Sequence, residues 1–322
     1  MLPIEVKNLY KNYFPAKSGK FAGIGNPVQH SGETATVETG LSFSVSKGEI
    51  FGIIGPDGAG KTTLFRILTT LILADRGTAT VDGFDVVKEY KEIRKRVGYM
   101  PGKFSLYQDL TVQENLNFFA TVFNTTIAEN YYLIKDIYQQ IEPFKNRRAA
   151  KLSGGMKQKL ALCCALIHKP SVLFLDEPTT GVDAVSRKEF WDMLKQLKNQ
   201  GITILVSTPY MDEANLCDRI ALIQNGQFLT IDTPAKIVGQ FGKTLWTVQS
   251  DNMSRLLLDL RAVKQIESCF TFGDSHHVTI LNDQFTKTDL HKILHEIGHT
   301  NVEINEINPT IEDCFMELSK HS

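Results

Sequence analysis

The segment Gly55–Thr63 reads GPDGAGKTT and fits the pattern G-x-x-x-x-G-K-[ST] in full. It follows the apolar run Ile50–Ile54 and precedes Leu64–Leu68, an order that predicts a strand, a glycine-rich turn and a helix. Glycines allow backbone N–H groups to curl around phosphate oxygens, and the helix N-terminus adds a partial positive charge. We therefore expect this loop to bind the phosphates of a nucleotide.

Two side chains of the loop have expected roles of their own. Lys61 reaches the β- and γ-phosphates in such a loop and is a candidate catalytic residue, while the hydroxyl of Thr62 ligates Mg²⁺. The alternative is a chance glycine turn that opens a helix, and the Gly-Lys-Thr ending argues against it. The expected nucleotide-binding residues of this segment are Gly55, Asp57, Gly58, Ala59, Gly60, Lys61, Thr62 and Thr63.

A second acidic motif follows the apolar run Val172–Leu175, which is typical of a buried strand and ends in Asp176 and Glu177. In a phosphate-loop ATPase the first acid holds Mg²⁺, and the second polarises the attacking water as a general base. Two adjacent carboxylates would repel each other without a cation. We predict Asp176 as a metal ligand and Glu177 as catalytic; a solvated strand end is the alternative.

A second glycine motif, Leu152–Lys159, reads LSGGMKQK and precedes a predicted helix that runs to about His168. Ser153 is a favourable N-cap, and Gly154 and Gly155 let a ligand approach the backbone. The chain thus has two helix N-termini suited to phosphate. One ATP does not easily need both unless a second copy supplies one of them.

Here the resemblance to a known family becomes specific, because the chain resembles the ATP-binding subunit of an ABC transporter from Leu2 to Ile231. Leu152–Gln158 is similar to the family's signature motif, Gly55–Thr63 to its phosphate loop and Val172–Pro178 to its magnesium strand. Gly181–Asp183 resembles the loop that touches the opposite subunit. A finer similarity to the daunorubicin- and multidrug-exporter-like group with type-two permeases lies in Gly98–Pro101, Phe104–Tyr107, Asp109–Val112, Tyr210–Ala214 and Pro309–Phe315.

The resemblance implies an α/β fold: an ABC-type phosphate-loop ATPase domain with a mixed sheet, an antiparallel β subdomain and a helical subdomain. It also implies a second nucleotide-binding subunit, in a homo- or heterodimer, with two ATPs held between each phosphate loop and the opposing signature. An integral membrane permease is the other expected partner, contacted around Tyr99 to Tyr107. The protein is then peripheral at the cytoplasmic face of the cell membrane. Tyr13 matches the aromatic residue that stacks on adenine, with Phe14 as the neighbouring candidate and a core aromatic as the alternative.

Two positions depart from the family. Gly102 follows Met100 and Pro101 where the family has a glutamine near Mg²⁺ and the attacking water, and Pro209 replaces the histidine that senses the γ-phosphate. Proline cannot donate a hydrogen bond. Three interpretations follow: the chain hydrolyses ATP slowly, completes its site through a partner, or uses water and local groups instead. We favour weakened hydrolysis, because Lys61 and Glu177 are intact, and keep a degenerate regulatory half as the alternative function.

Composition bounds the remaining possibilities. The chain has 322 residues, 42% hydrophobic and 22% charged, with a formal net charge of −1. The length accommodates about two domains, and the charge gives no sign of a nucleic-acid partner. No apolar run approaches the ~20 residues that span a bilayer, and we expect no signal peptide. A soluble ABC ATPase acting on ribosomes or DNA is a rival, but a second cassette or a long coiled coil is missing.

The organisation along the chain predicts a nucleotide-binding domain over 1–242 and a small C-terminal domain over 243–322, with a boundary near Gly242. We expect a loop excursion over about 15–39 and a helical subdomain over about 100–168. Between Leu245 and Ile307 the pattern predicts strand, helix, strand, strand, helix, strand, the order of a split βαβ sandwich, which makes this domain α+β.

Cysteines and histidines give weaker signals. No cysteine belongs to a C-x-x-C pair, so we expect reduced thiols and no zinc site; they are Cys163, Cys164, Cys217, Cys269 and Cys314. His291 and His295 share a helix face by their spacing, which is compatible with a metal. Gly298 is expected to end this helix and to displace His299. The interpretation we favour is a solvated polar face for the histidines.

Overall fold

The computed structural model describes residues 1–13, 22–25, 40–102, 106–282 and 284–320. Phe14 and most of the predicted excursion lie outside the described residues. The chain forms two compact units, of which the first is Met1–Pro234 and the second begins at Ala235. None of the described helices combines the length and the hydropathy that a bilayer-spanning segment requires.

An antiparallel sheet forms one layer of the first unit. The long strand β1 lies at its centre and pairs with β2, β3 and β5, and β6 extends the sheet from β5. The turn at Asp82 and Gly83 joins β5 to β6, and both residues have positive φ. These strands are β1 (Ile4–Tyr13), β2 (Ala22–Ile24), β3 (Leu41–Val45), β5 (Arg76–Val81) and β6 (Phe84–Asp85).

A mixed sheet forms the second layer, in the order β11-β10-β4-β9-β8-β7. All neighbours are parallel except β10 and β11, which form an antiparallel hairpin. Strands β4 and β8 are buried along their whole length, which explains their continuous apolar sequences. The strands are β4 (Ile50–Ile54), β7 (Val97–Met100), β8 (Val172–Asp176), β9 (Thr203–Thr208), β10 (Arg219–Gln224) and β11 (Gln227–Asp232).

Helices cover this sheet and build the predicted helical region. Helix α1 packs on β8, where the rings of Phe65 and Phe174 meet edge to face at 6.1 Å. Thr111 and Thr126 begin α3 and α4 with complete capping boxes. The helices are α1 (Lys61–Leu68), α2 (Tyr90–Arg96), α3 (Val112–Val122), α4 (Ile127–Tyr138), α5 (Gly154–Leu166) and α6 (Ala184–Asn199); short 3₁₀ turns occupy Glu142–Phe144, Ala149–Lys151 and Met211–Leu216.

The second unit has its own antiparallel sheet, in the order β13-β14-β12-β15, and its own apolar core around Trp246, Val278 and Leu256. The chain order from β12 to β15 is strand, helix, strand, strand, helix, strand, followed by α10. The elements are α7 (Pro234–Gly239), β12 (Leu245–Gln249), α8 (Met253–Ala262), β13 (Ile266–Phe272), β14 (Ser275–Ile280), α9 (Lys287–Glu296), β15 (Glu303–Glu306) and α10 (Ile311–Ser319).

Two local predictions are wrong. Strand β2 lies inside the stretch expected to be a loop excursion. Its residue Ile24 is fully buried and pairs with Lys11 of β1. His299 is not on a solvated face: it is 4% exposed, and its Nε2 lies 2.9 Å from Asp259 Oδ2. Gly298, at φ 89°, turns the chain after α9 and directs the next residue inward. His291 and His295 are exposed as expected, and the five cysteines are buried free thiols.

Candidate nucleotide-binding site

Three adjacent parallel strands bring the predicted motifs to one edge of the mixed sheet. Strand β9 lies between β4 and β8, with Ile54 opposite Thr208 and Asp176 opposite Ser207. The phosphate loop follows β4, and Glu177 follows β8. Because the carboxyl ends of parallel strands meet at one edge, the loop and the two acids become neighbours.

The phosphate loop needs glycine where it enters α1. Gly60 has φ 102° and is the N-cap of the helix, and no side chain caps the helix there. A Cβ on Gly60 would lie 2.9 Å from the Gly23 carbonyl oxygen and 2.7 Å from Ile24 Cγ2. Gly58 also has positive φ, at 80°. The first N–H groups of α1 therefore lack a side-chain cap, which is the arrangement that accepts a phosphate.

Lys61 is buried at the base of this loop, with only 3% of its surface exposed. Its Nζ donates to the carbonyl oxygens of Gly55 at 2.7 Å and Pro56 at 3.0 Å. The same atom lies 3.1 Å from Glu177 Oε1. The ammonium group is thus held by oxygen partners at the position from which it would contact phosphates.

A cavity of about 210 Å³ opens beside Lys61. Tyr13 lies on its wall, 37% exposed, with its hydroxyl 3.5 Å from Thr63 Oγ1. The cavity has an aromatic ring together with the phosphate loop, as a nucleotide site requires. Its lining residues are Tyr13, Gly23, Gly58, Gly60, Lys61, Thr62, Thr63 and Glu177.

The other residues expected from the loop lie beside the cavity rather than on its wall. Asp57 is exposed, and Ala59 is buried with its carbonyl oxygen accepting the Gly226 N–H at 3.1 Å. A Cβ on Gly55 would lie 2.0 Å from the carbonyl oxygen of Ile223, so glycine is required by packing as well. Gly23 was missed by the sequence reasoning, since nothing in its neighbourhood predicts a strand against α1.

The two acids differ in their surroundings. Asp176 is 2% exposed, and its Oδ1 accepts a hydrogen bond from the Ser207 hydroxyl at 2.7 Å. Glu177 has φ 53°, a left-handed conformation that is uncommon for glutamate. Its N–H donates to Ser207 Oγ at 3.0 Å, while its carboxylate reaches Lys61. Sequence reasoning missed Ser207, which joins both acids.

The residues present fit a magnesium ion held partly by a nucleotide. Asp176 and Thr62 offer only hard oxygen donors, which Mg²⁺ prefers, and Mg²⁺ commonly takes one or two carboxylates plus substrate phosphates. Within the described ranges no group of three His, Cys, Asp or Glu side chains is placed to hold a metal without such help. Asp176 Oδ2 lies 3.9 Å from the point that a Cβ on Gly102 would occupy, so a longer side chain at 102 would approach this carboxylate.

Pro209 lies at the end of β9, in a segment fixed by a buried acid. Glu213 is 2% exposed, and its Oε2 accepts hydrogen bonds from the hydroxyls of Thr208 at 2.6 Å and Thr179 at 3.1 Å. Arg187 donates to Glu213 Oε1 at 3.2 Å and lies 4.3 Å above the Tyr210 ring. This network orders the backbone around Pro209 but places no described donor in the cavity.

The signature lies elsewhere on the first unit. Ser153 caps α5 by accepting the Met156 N–H at 3.3 Å, and Ser153 and Gly154 are exposed. A Cβ on Gly154 would lie 3.5 Å from the carbonyl oxygen of Gly181, so the signature adjoins the loop Gly181–Asp183. Among the described residues that line the cavity, none comes from the signature, which includes Ser153, Gly154 and Gly155.

An apolar groove of about 390 Å³ lies where α3 and α5 meet β7. Tyr99 is on its wall, and burial together with the nearby negative charge of Asp176 raises the pKa of Tyr99 to about 12. His168 also lines it: Nε2 donates to the Val97 carbonyl oxygen at 3.0 Å, and Nδ1 has no partner among the described residues. Burial lowers the pKa of His168, which favours the neutral form of the ring.

Comparison with known proteins decides the family. The ABC transporter family model matches residues 39–180. The linearmycin resistance ATP-binding protein LnrL of Bacillus subtilis (strain 168) is 31% identical over 299 residues, which are 88% of this chain and 94% of that protein. The chain belongs to the ABC transporter ATP-binding family. The α/β fold expected from the resemblance is confirmed by the sheets and helices of the structure and by its similarity to solved ATP-binding cassettes.

Two further similarities extend the family relationship. The probable multidrug ABC transporter ATP-binding protein YbhF of Escherichia coli (strain K12) is 40% identical over 282 residues, 86% of this ABC protein. The alignment spans 48% of YbhF, so the chain covers about half the length of that relative. A dimeric ATP-binding cassette, solved in a post-hydrolysis state with ADP and phosphate, has a similar fold at a TM-score of 0.60, with 23% identity over 71% of this chain and 98% of that one.

Proposed function

We propose that this chain is the ATP-binding and ATP-hydrolysing subunit of an ABC exporter that drives a separate membrane permease. The observation that carries the proposal is the convergence of Lys61, Tyr13 and Glu177 on one cavity beside Asp176. Tyr13 stacks on the adenine, the α1 N-terminus and Lys61 hold the phosphates, and Thr62 and Asp176 ligate Mg²⁺. When bound, Mg²⁺ neutralises the charge that develops on the phosphates.

Glu177 acts as the general base in this proposal. Its carboxylate borders the cavity and is 23% exposed, so it reaches both the nucleotide and water. In the structure it pairs with Lys61, and phosphate oxygens take over that ammonium group when ATP binds. The carboxylate is then free to accept a proton from water.

A second nucleotide-binding subunit completes the site. The signature of one chain is exposed and lies outside its own cavity, so it is available to a companion. The similar cassette with a TM-score of 0.60 is itself a dimer. ATP held between a phosphate loop and the companion's Ser153 would draw two chains together, and hydrolysis would release them.

A cysteine cross-link tests this arrangement. The five native cysteines are buried, so a chain with Asp57→Cys and Ser153→Cys would form few other disulfides. We expect an intermolecular cross-link that requires ATP, best observed with hydrolysis blocked by Glu177→Gln. The control pair is Asp57→Cys with Asp192→Cys, which is exposed on α6. Equal cross-linking of both pairs, or none with ATP, contradicts the head-to-tail dimer.

The apolar groove beside Tyr99 is the surface we assign to the permease. Tyr99, the first residue of the segment expected to contact the permease, lies on its wall, together with the exposed side chain of Val122. A membrane partner would place the protein at the cytoplasmic face of the membrane. Copurification of a polytopic membrane protein that depends on this groove is the direct test, and recovery of soluble partners alone counts against it.

Hydrolysis is slow in this proposal, because Gly102 and Pro209 lack the side chains that assist it. Removal of one transition-state donor typically costs about 10²–10³ in rate. A degenerate, regulatory half of a heterodimer is the second candidate, favoured by the same two residues. A single-turnover assay with excess protein separates them, since slow hydrolysis releases phosphate from bound ATP and a regulatory half does not.

A further inference from the structure

We propose that Ser207 is a positioning residue of the ATPase site, which selects the oxygen of Asp176 that faces Mg²⁺ and fixes the backbone of Glu177. The inference rests on the proposed function, in which Asp176 ligates Mg²⁺ and Glu177 is the base. Ser207 is fully buried in β9, between the strands that lead to the phosphate loop and to the two acids.

The Ser207 hydroxyl makes two hydrogen bonds of opposite sense. It accepts the Glu177 N–H at 3.0 Å and donates to Asp176 Oδ1 at 2.7 Å. A hydroxyl has one proton to donate and lone pairs to accept with, so a single oxygen links both acids. Because each bond polarises the other, the chain N–H···O–H···carboxylate is stronger than two separate bonds.

The first consequence concerns Asp176. With Oδ1 occupied by Ser207, the carboxylate has one orientation, and Oδ2 is directed to the side where Gly102 lies. The ligand oxygen for Mg²⁺ is then Oδ2. Partners of this kind hold metal ligands in place, and their loss typically lowers metal affinity or activity about 10–100-fold.

The second consequence concerns Glu177, which must hold φ 53° to direct its carboxylate toward Lys61. Its N–H has two acceptors on Ser207, the hydroxyl at 3.0 Å and the carbonyl oxygen at 3.1 Å. A strained conformation persists only where its surroundings determine it. Gly102 and Pro209 bring no polar side chain to the site. The Ser207 hydroxyl, in contrast, links Asp176 to Glu177 by hydrogen bonds.

The test compares Ser207→Ala with Thr203→Val. Thr203 lies at the other end of β9, is also buried and accepts the Gly48 N–H at 3.0 Å, so its replacement removes a buried hydroxyl far from the acids. The first readout is binding of Mn²⁺ to the ATP-loaded full chain, followed by electron paramagnetic resonance without turnover. The second is ATP binding in EDTA, and the third is the change in kcat and in KM for ATP.

For Ser207→Ala we expect about 10–100-fold weaker Mn²⁺ binding and a similar fall in kcat. ATP binding in EDTA should stay within about twofold of wild type, because the phosphate loop is untouched, while the KM for the metal–ATP complex should rise along with the loss of metal affinity. Thr203→Val should resemble wild type in all three readouts. A Ser207→Ala variant that matches Thr203→Val overturns the inference while leaving the proposed function intact. If the wild-type chain binds ATP without any effect of a divalent ion, the proposed function fails first.

Ser207→Cys covers the case in which Ser207→Ala does not fold. A thiol occupies nearly the same place but is a weaker donor and acceptor. We expect its Mn²⁺ affinity to fall clearly below that of wild type. An affinity equal to that of wild type would contradict the requirement for a hydroxyl.

Discussion

Lys61 Nζ lies 3.1 Å from Glu177 Oε1, so the ammonium group of the phosphate loop is paired with the proposed general base. Both groups are also held from other directions: Lys61 by the Gly55 carbonyl oxygen, and Glu177 by its N–H bond to Ser207. The pair brings together two motifs that are more than a hundred residues apart in sequence. In the proposed function, binding of phosphate exchanges one partner of Lys61 for another.

The first prediction concerns Glu177→Gln. Removal of the base should lower turnover by about 10²–10⁴-fold, the usual contribution of general base catalysis. ATP binding should persist or become a few-fold tighter, because Lys61 loses a competing carboxylate. Phosphate release and fluorescent-nucleotide binding measure the two effects. Glu189→Gln, an exposed change on α6, is the control, and turnover equal to that control would reject Glu177 as the base.

The second prediction concerns the glutamine missing at position 102. A Cβ there would lie 3.1 Å from the Asp176 carbonyl oxygen and 3.9 Å from its Oδ2, so Gly102→Gln would direct an amide toward the magnesium carboxylate after a small backbone adjustment. We expect turnover to rise by at least about tenfold. This is a fraction of the rate loss of about 10²–10³ that usually follows removal of one transition-state donor.

Gly102→Ala is the matched control, because it adds the same Cβ without the amide. Turnover that stays low in both variants would indicate that the chain already replaces this group or belongs to a regulatory half. A rise in both would assign the effect to the backbone.

The sequence pattern predicts the two motifs of this site but not Ser207. The loop Gly55–Thr63 and the pair Asp176–Glu177 were found in sequence because each is a short motif attached to a recognisable apolar strand. Ser207 carries no such signal, since its partners lie 30 and 31 residues away and become adjacent only when β9 inserts between β4 and β8.

The errors of fold prediction have the same origin. Strand β2 lies in a Gly- and Ser-rich stretch, and only its pairing with β1 identifies Ala22–Ile24 as extended. The sequence predicts that Gly298 ends α9 and displaces His299, but only the tertiary contact with Asp259 shows that the displaced ring is buried. The positions of β2 and His299 depend on contacts with residues distant in sequence, which local spacing does not encode. The motifs that were predicted well are short and contiguous.

The third prediction tests Tyr13 as the adenine platform. Tyr13→Ala should weaken ATP binding by about 1–3 kcal/mol, the usual value of stacking on one base. Tyr13→Phe keeps the ring and should bind within a few-fold of wild type. Calorimetric titration with ATP and with inorganic triphosphate separates base from phosphate. Equal losses for both ligands would assign Tyr13 to the structure of the loop instead.

The fourth prediction concerns the permease surface. Val122 is 55% exposed on the wall of the apolar groove, so Val122→Glu adds a charge there with little effect on folding. Copurification with the permease should be lost, while ATP binding by the separate subunit is unchanged. Tyr132→Glu, on the exposed side of α4, is the control. Unchanged copurification in Val122→Glu would remove the groove from the proposal.

The fifth prediction concerns acid stability of the second unit, where Asp313 accepts hydrogen bonds from His277 Nδ1 at 2.6 Å and from the Thr310 N–H at 2.8 Å. Burial alone raises the pKa of the Asp313 carboxyl, but these hydrogen bonds outweigh it and the pKa lies below its ordinary value. A carboxyl with a lowered pKa stabilises the fold at pH values above the pKa that it has in the unfolded chain, about 3.9. That contribution is lost as the pH falls through the folded pKa.

Asp313→Asn should therefore destabilise the second unit at neutral pH by about 1–2 kcal/mol, the value of a lost helix cap, and the difference from wild type should shrink below pH ~4. Calorimetry of the full chain from neutral to acidic pH measures it. Asp289→Asn is the control, because it alters the same kind of cap on α9 without a histidine partner. If Asp313→Asn destabilises the unit equally at every pH, the negative charge of the Asp313 carboxylate beside His277 does not contribute. The packing of the side chain would then hold α10 in place.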